Sequence, residues 1–126
     1  MKLGVCGSRS ITDKDWVGYH LDKWEQAQTI EAVLSGGAKG VDTLVEEWCA
    51  GNEVPHVLFK PYHMVDTREP YKKKYFFIRN KQIIDNSDEV LILWDGVSGG
   101  TGWCINYCVE RNKKHTVIKY DPNWQK

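Results

Sequence analysis

EVLILWDGVSGGT, residues 89–101, joins an unbroken apolar run to a segment rich in glycine. A continuous apolar run of this length is typical of a strand that is buried on both faces of a parallel sheet. The glycines that follow are typical of a tight turn into a helix. The stretch therefore predicts a strand at 89–94, a loop at 95–101 and a helix from about 102 to 112, which directs four side chains inward: Cys104, Ile105, Cys108 and Val109.

The alternation of short apolar runs with amphipathic stretches extends over the whole chain. Gly, Pro or a capping residue marks each switch, and this βαβα order is the signature of a mostly parallel sheet. We expect an α/β protein, a Rossmann-like three-layer sandwich with a mostly parallel five-stranded sheet and helices on both faces. The other predicted strands are 2–6, 32–34, 57–59 and 116–118, and the other predicted helices start near 12 and span about 41–51 and 71–86.

Two local patterns carry more specific predictions. The first helix is predicted to open on a capping box, with the hydroxyl of Thr12 at the N-cap and the carboxylate of Asp15 three residues later. Residues 60–70 are polar, contain proline and fit neither a helix nor a strand. Such a segment is typical of a functional or lid-like loop.

Composition limits the classes of function. The 126 residues are the size of one domain, so we expect residues 1–126 to form a single domain with one main site. Seventeen Lys and Arg balance seventeen Asp and Glu, so a polyanion would be bound only through a local patch. No apolar stretch approaches the roughly 20 residues that cross a bilayer, and the chain opens on a predicted strand. We therefore expect a soluble, cytoplasmic protein with no membrane partner.

The cysteines and histidines show no pattern of a metal site or a catalytic triad. The cysteines lack paired CxxC spacing, which favours buried free thiols over a metal site, so no metal is expected. The histidines form no Ser-His-Asp or Cys-His arrangement by spacing. A catalytic histidine is the minority interpretation, and His63 in the 60–70 segment is its best candidate. The residues concerned are Cys6, Cys49, Cys104 and Cys108, and His20, His56, His63 and His115.

Three glycine-rich loops follow three of the predicted strands. In an open parallel sheet such loops meet at the carboxyl edge, where ligands bind. Glycine lets backbone N–H groups approach an anion, and the helix N-terminus behind each loop adds positive charge, so phosphate is the expected guest. The candidate ligand-binding residues in these loops are Gly7, Ser8, Arg9, Ser35, Gly36, Gly37, Ala38, Gly40, Asp42, Asp95, Gly96, Ser98, Gly99, Gly100 and Thr101.

Each loop also has a purely structural interpretation. Short βα turns use Gly for steric reasons, and Ser and Thr are ordinary N-caps. Asp42 would suit the first turn of a helix through the dipole alone, or accept from a ribose hydroxyl, or act as a general base. Asp95 ends the most buried strand, where local structure explains a carboxylate less well. Neither GxxxxGK[ST] nor GxGxxG is present, so neither a P-loop NTPase nor an ordinary NAD enzyme is indicated, and we expect no cofactor.

Four motifs carry a resemblance to a known family. They are Gly7-Ser8-Arg9, Ser35 to Asp42, Arg79 to Ile84, and Trp94-Asp95-Gly96 followed by Ser98 to Thr101. Together they resemble the YspA-type branch of the SLOG superfamily, which also contains the DNA-processing A proteins and the Lonely Guy phosphoribohydrolases. The resemblance extends in order from Lys2 to about Tyr120. It implies a Rossmann-like sheet and a site for nucleotides or nucleotide derivatives.

The resemblance places Arg79 at the mouth of the pocket. Its forked donors suit a phosphate bidentately, whereas the alternative is a surface arginine on a helix. Asn80 is a candidate for a hydrogen bond to a base or a phosphate, or for holding the neighbouring loop. Arg9 is a second candidate for phosphate binding.

One position departs from the Lonely Guy motif GGxGTxxE, because Cys104 stands where the Glu is expected. A thiol does not stabilise an oxocarbenium ion as a carboxylate does. We therefore expect binding or sensing of a nucleotide or nucleotide-derived ligand. The enzymatic alternative is a nucleotide N-glycosidase or phosphoribohydrolase acting on nucleoside monophosphates, for which the catalytic candidates are Arg79, Asp42 and Asp95.

The segment 60–81 supplies a third hypothesis. Seven basic residues outnumber two acidic ones, and Tyr and Phe side chains are interleaved with them. The mixture is typical of single-stranded nucleic-acid binding, as in the DNA-processing A proteins, or of a solvated helix face beside core aromatics. The expected partner is a nucleotide-derived small molecule. Single-stranded nucleic acid and a second copy of the chain, bound through an exposed aromatic such as Trp103 or Trp124, are left open.

Overall fold

Strands and helices alternate along the chain in a computed structural model that describes residues 1–62, 66, 68, 70 and 72–125. Within these residues the strands are β1 Lys2–Gly7, β2 Ala32–Ser35, β3 His56–Leu58, β4 Glu89–Trp94 and β5 His115–Lys119. The helices are α1 Lys14–Ala27, α2 Val41–Gly51, α3 Lys73–Asp85 and α4 Gly99–Glu110. All five predicted strands are confirmed, and no boundary differs by more than one residue.

The five strands form one sheet in the order β3-β2-β1-β4-β5, and every neighbouring pair is parallel. Gly4 in the centre pairs with Leu34 of β2 on one side and Val90 of β4 on the other. The chain therefore builds outward from β1 in one direction and then crosses back to build in the other. The ends of β1 and β4 flank this reversal, which is where ligands bind in open α/β sheets.

Helices cover both faces of the sheet. Alternate β4 side chains enter two separate apolar clusters, with Leu91 and Leu93 in one and Val90 and Ile92 in the other. The first cluster contains buried residues of α1 and α2, and the second contains buried residues of α3 and α4. The predicted α/β class, with a Rossmann-like three-layer sandwich, is therefore confirmed.

The first helix is capped one residue later than the predicted capping box. Asp13, not Thr12, is the N-cap, and its Oδ1 accepts a hydrogen bond of 3.1 Å from the backbone N–H of Trp16. The other oxygen of Asp13 accepts from the Tyr120 hydroxyl at 2.9 Å. The prediction of Thr12 at the cap, with Asp15 as its reciprocal partner, is wrong. Tyr120, which lies 107 residues later in the sequence, holds Asp13 at the end of the helix.

Helix α4 begins at Gly99, three residues before the predicted start. Gly99 and Gly100 therefore form its first turn instead of belonging to a loop. Cys104 and Cys108 point into the core as predicted, and Ile105 is half-buried. The inward placement of Val109 is wrong, since 63% of this residue is exposed. A position one residue past Cys108 lies about 100° further round the helix.

Helix α3 begins at Lys73, and Tyr71 of the predicted helix lies outside the described residues. Five of the eleven residues of the predicted lid-like loop at 60–70, among them the candidate His63, also lie outside the described residues. The predicted burial of the four cysteines is confirmed, and all are free thiols. Among the described side chains, His, Cys, Asp and Glu form no group of three suited to a metal ion. No helix in the described ranges has the length and apolarity to cross a membrane.

Candidate functional site

A cavity of about 580 Å³ opens at the carboxyl edge of the sheet, beside the ends of β1 and β4. Its volume lies in the range of small-molecule sites. Helices α3 and α4 supply its walls, and Cys6 and Cys104 supply part of its floor. The structure brings ten of the predicted residues to its lining: Gly7, Arg9, Ala38, Asp42, Arg79, Asn80, Ser98, Gly99, Gly100 and Thr101.

Arg79 lies in the wall of the cavity and is only 6% exposed. Its Nη1 donates to the carbonyl oxygen of Gly36 at 2.6 Å, and its Nε donates to Oδ1 of Asn80 at 2.8 Å. Burial lowers the pKa of the guanidinium, and the carboxyl of Asp42 opposes this change. The alternative of a surface arginine is therefore wrong. Asn80 holds Arg79, as well as facing the cavity.

The loop after β2 packs beneath Arg79 and does not line the cavity with its glycines. A Cβ at Gly36 would collide with the guanidinium of Arg79. Gly40 has a φ of +74°, and a Cβ there would lie 2.5 Å from the carbonyl oxygen of Arg9. These close approaches explain why positions 36 and 40 are glycine, since any side chain there would collide with a neighbour. Gly37 packs against Leu58 of the edge strand.

Asp42 is the one carboxylate on the cavity lining in the described chain, and it is 6% exposed. It lies in the first turn of α2, and its Oδ2 accepts from the backbone N–H of Ala38 at 3.0 Å. Burial raises its pKa to about 6, although Arg79 and Arg9 act to lower it. A carboxyl group with such a pKa in a cleft can exchange a proton near neutral pH.

Arg9 is exposed at the entrance of the cavity. Its guanidinium carbon lies 5.3 Å from the centroid of the Phe76 ring, and that of Arg79 lies 5.6 Å from the same centroid. Both distances fit cation–π contacts. Phe76 therefore holds two positive charges near the same part of the cavity.

Asp95 lies outside the cavity lining and acts within its own loop. Its carboxylate accepts from the N–H and hydroxyl of Ser98 at 2.7 and 2.5 Å, from the N–H of Val97 at 2.9 Å and from the hydroxyl of Ser10 at 2.7 Å. Desolvation acts to raise the pKa of Asp95, but these hydrogen bonds outweigh it and hold the pKa well below its ordinary range. Hydrogen bonds within the loop thus explain why a carboxylate stands at position 95, which the sequence pattern alone did not explain.

Ser8 lies beneath the cavity and joins the ends of β1 and β4. Its Oγ accepts from the N–H of Asp95 at 3.0 Å and lies 3.4 Å from Oγ1 of Thr101, which does line the cavity. Gly96, with a φ of +91°, packs against Lys119 outside the cavity. Ser8 therefore positions the loop that leads into α4.

Ser35 also lies outside the cavity, fully buried at the end of β2. Its Oγ is 2.6 Å from Nε2 of His56, which opens the neighbouring strand β3. Burial lowers the pKa of His56. In the register of the sheet His56 is the partner of Val33, so the His56 ring reaches two residues along β2 to contact Ser35.

Aromatic side chains also line the cavity, and the sequence analysis did not include them among the candidate ligand-binding residues. Phe77 of α3 and Trp103 of α4 line the cavity with ring centroids 5.0 Å apart. Trp103 in turn stacks on Tyr107, with centroids 5.2 Å apart and planes 8° apart. We call Phe77, Trp103 and Tyr107 the aromatic row. Trp103 and Trp124 are both half-buried, and the hypothesis that one of them contacts a second copy of the chain stays a prediction.

Cys104 lies on the floor of the cavity and is 2% exposed. It shares a hydrogen bond with Cys6, and this contact together with burial raises the pKa of Cys6 well above its ordinary value. The resemblance to the Lonely Guy motif places Cys104 at a position that faces the ligand, and Cys104 does line the cavity. The thiol of Cys6 stays protonated at neutral pH and is a poor nucleophile.

Two solved structures share the fold. The structure of DNA processing protein A from Streptococcus pneumoniae is similar with a TM-score of 0.77 and 19% identity, over 97% of this chain and 51% of that one. DNA processing protein A from Helicobacter pylori, whose single-stranded DNA binding mode has been studied structurally, is similar with a TM-score of 0.72 and 20% identity, over 98% of this chain and 67% of that one. The chain thus spans about half and about two thirds of these proteins.

No curated protein matches the sequence. A family model does match, over residues 1–63, which include β1, β2, β3 and the first two glycine-rich loops. This is half of the chain, and the structural likeness extends over nearly all of it. The chain belongs to the YspA, cpYpsA-related SLOG family.

Proposed function

We propose that the chain binds a nucleotide or a nucleotide-derived ligand in the cavity at the carboxyl edge of the sheet. The observation that carries the proposal is the placement of Arg79 and Asp42, each 6% exposed, on the lining of the same cavity. Buried charges are costly to a fold and cluster at functional sites. A phosphate for the cation and a ribose hydroxyl for the carboxylate would use both charges.

The start of α4 supports the same proposal. Ser98 to Thr101 line the cavity, and the side chain of Ser98 donates to Asp95 instead of capping the helix. The first N–H groups of a helix bind anions, aided by the helix dipole. Arg9 at the entrance adds a second positive charge. A phosphate at this end leaves the ribose near Asp42.

Ligand-dependent thermal stabilisation tests the proposal. The panel contains nucleoside phosphates, nucleotide sugars, dinucleotides and cyclic nucleotides at millimolar concentration, and a member that binds should raise the Tm. A ligand at a hundred times its Kd adds about 2.7 kcal/mol to the free energy of unfolding. Arg9→Gln should reduce the shift. Lys23→Gln, which removes an exposed charge on α1, is the matched control. If no member of the panel moves the Tm of the wild type, the proposal is wrong.

Single-stranded DNA is a second candidate ligand, favoured by the aromatic row and its neighbouring charges. Lys81 Nζ and the Arg111 guanidinium carbon each lie 5.9 Å from the centroid of Tyr107. Exposed cations beside stacked rings are typical of single-strand binding surfaces. The affinity for a fluorescent oligo-dT should then fall steeply between 50 and 200 mM salt as counterions are released, and fall further in Lys81→Gln. Binding that ignores salt would rule this candidate out.

Cleavage of nucleoside monophosphates is the third candidate, and Asp42 favours it. Its pKa of about 6 suits a group that gives or takes a proton near neutral pH. Chromatography of each monophosphate after incubation would show free base and ribose phosphate, and Asp42→Asn should abolish their release. Absence of free base with all common monophosphates would exclude this candidate and leave the binding proposal intact.

A further inference from the structure

The cavity has two chemically different regions. Arg9, Asp42, Arg79 and the start of α4 make one region polar and charged, whereas Phe77 and Trp103 make the other aromatic. A nucleotide has the same division, with a charged phosphate and sugar at one end and a flat apolar ring at the other. Given the proposed nucleotide binding, on which this role rests, the aromatic region is the part of the cavity that would contact the base.

The aromatic region is held in place by contacts within the protein. Trp103 is supported by Tyr107, which stacks on it with ring planes 8° apart. The hydroxyl of Tyr107 donates to both carboxylate oxygens of Asp85, at 2.8 and 2.9 Å. Because Phe77 and Tyr107 both contact Trp103, the indole is braced between α3 and α4. A wall that is already ordered costs little conformational entropy when a ring binds against it.

The polar groups of the described lining near the rings are mostly hydrogen-bond donors. Asn80 Oδ1 accepts from Arg79, so the amide N–H groups of Asn80 are the part left to face a ligand. Asp42, Ser98 and Thr101 belong to the charged region, and Lys73 is exposed and carries donors only. Donors alone separate the four bases poorly, because every base carries acceptors on its edge. Beside Phe77 and Trp103 the lining offers ring surface instead.

We propose that Phe77 and Trp103 hold the base of the bound nucleotide through ring contacts alone, so that the site takes all four common bases. Ring contacts tolerate any base because every base has a π-face. The charged region then selects for the sugar phosphate. The ligand class is nucleoside phosphates in general, and the identity of the base does not decide affinity.

Calorimetric titration of the wild-type chain with AMP, GMP, CMP, UMP and ribose 5-phosphate tests this inference. We expect the four nucleotides to agree within about fivefold and to bind at least about tenfold more tightly than ribose 5-phosphate. Trp103→Leu should weaken all four nucleotides by about tenfold and leave ribose 5-phosphate within about twofold. Trp124→Leu, which removes a half-buried indole packed on Tyr19, is the matched control.

The outcomes separate this inference from the proposal beneath it. Preference for one base by more than about fivefold would overturn the inference while nucleotide binding stands. Equal affinity for ribose 5-phosphate and the nucleotides would do the same. Binding of none of the five ligands would defeat both. Should Trp103→Leu fail to fold, Phe77→Leu takes its place, and the comparison of bases in the wild type needs no variant.

Discussion

Arg79 and Gly36 are joined by a 2.6 Å hydrogen bond from the guanidinium Nη1 to the backbone carbonyl oxygen. The bond ties the middle of α3 to the loop after β2, and the same guanidinium lines the cavity. The absence of a Cβ at Gly36 is what permits the approach. One side chain therefore has two roles, and substitutions at Arg79 will change stability as well as binding.

Arg79→Ala should destabilise the fold by about 2–3 kcal/mol, because it leaves the buried carbonyl of Gly36 without its donor and removes a positive charge that favours the buried carboxylate of Asp42. Urea unfolding monitored by tryptophan fluorescence measures the loss. Arg111→Ala is the control, since 61% of that side chain is exposed and its change should stay within about 0.5 kcal/mol. A loss below about 1 kcal/mol for Arg79→Ala would contradict the structural role.

Asp42 makes stability depend on pH. Its pKa is raised from 3.8 to about 6, so between these values the folded state binds more protons than the unfolded state. Stability therefore falls as the pH rises through this window, by up to about 3 kcal/mol. Asp42→Asn keeps an acceptor for the Ala38 N–H and should remove this dependence.

Urea unfolding at pH 4 and pH 7.5 measures the effect. Asp42→Asn should be more stable than the wild type at the higher pH, and the difference should shrink at the lower one. Asp15→Asn, an exposed carboxylate in the first turn of α1, should change stability little at either pH. A wild type that gains stability relative to Asp42→Asn between pH 4 and 7.5 would show that Asp42 ionises easily in the fold.

Asp95→Asn should destabilise the loop that leads into α4. An amide replaces one acceptor oxygen with a donor, so it cannot accept all four bonds from Ser10, Val97 and Ser98. We expect a loss of about 1–2 kcal/mol in unfolding free energy and weaker nucleotide binding, because Ser98 to Thr101 would shift. Unchanged binding together with unchanged stability would contradict this account of Asp95.

The elements of the sheet could be predicted because their signals are local. The unbroken apolar run at 89–94 specifies β4 without reference to the rest of the chain. The start of α4 was misplaced because glycine is equally compatible with a turn and with a first helical turn. The cap of α1 was misplaced because Asp13 is held by Tyr120, which lies far away in the sequence.

The charged region of the site could be predicted better than the aromatic region. Loops after parallel strands meet at one edge, so residues 7–9 and 98–101 converge by topology. Phe77 and Trp103 meet only because α3 and α4 pack side by side, and their spacing in the sequence carries no sign of it. The hydrogen-bond partners of Asp95 could not be predicted for a related reason, since they are set by the conformation of a loop.

Cys104→Glu restores the carboxylate that the Lonely Guy motif carries, but the site does not accommodate it easily. Cys104 is 2% exposed and packs against Cys6, which already feels the charge of Asp42. A second buried carboxylate would raise the pKa of both acids or leave an unpaired charge, at a cost of at least about 2 kcal/mol. Cys104→Ser keeps a small donor in place and should cost less. Urea unfolding at pH 7.5 measures the loss of unfolding free energy in both variants. If Cys104→Glu is as stable as the wild type, the expectation is wrong. Arg79 would then pair with the new carboxylate, and the cavity could hold a glycosidase-like acid beside its arginine.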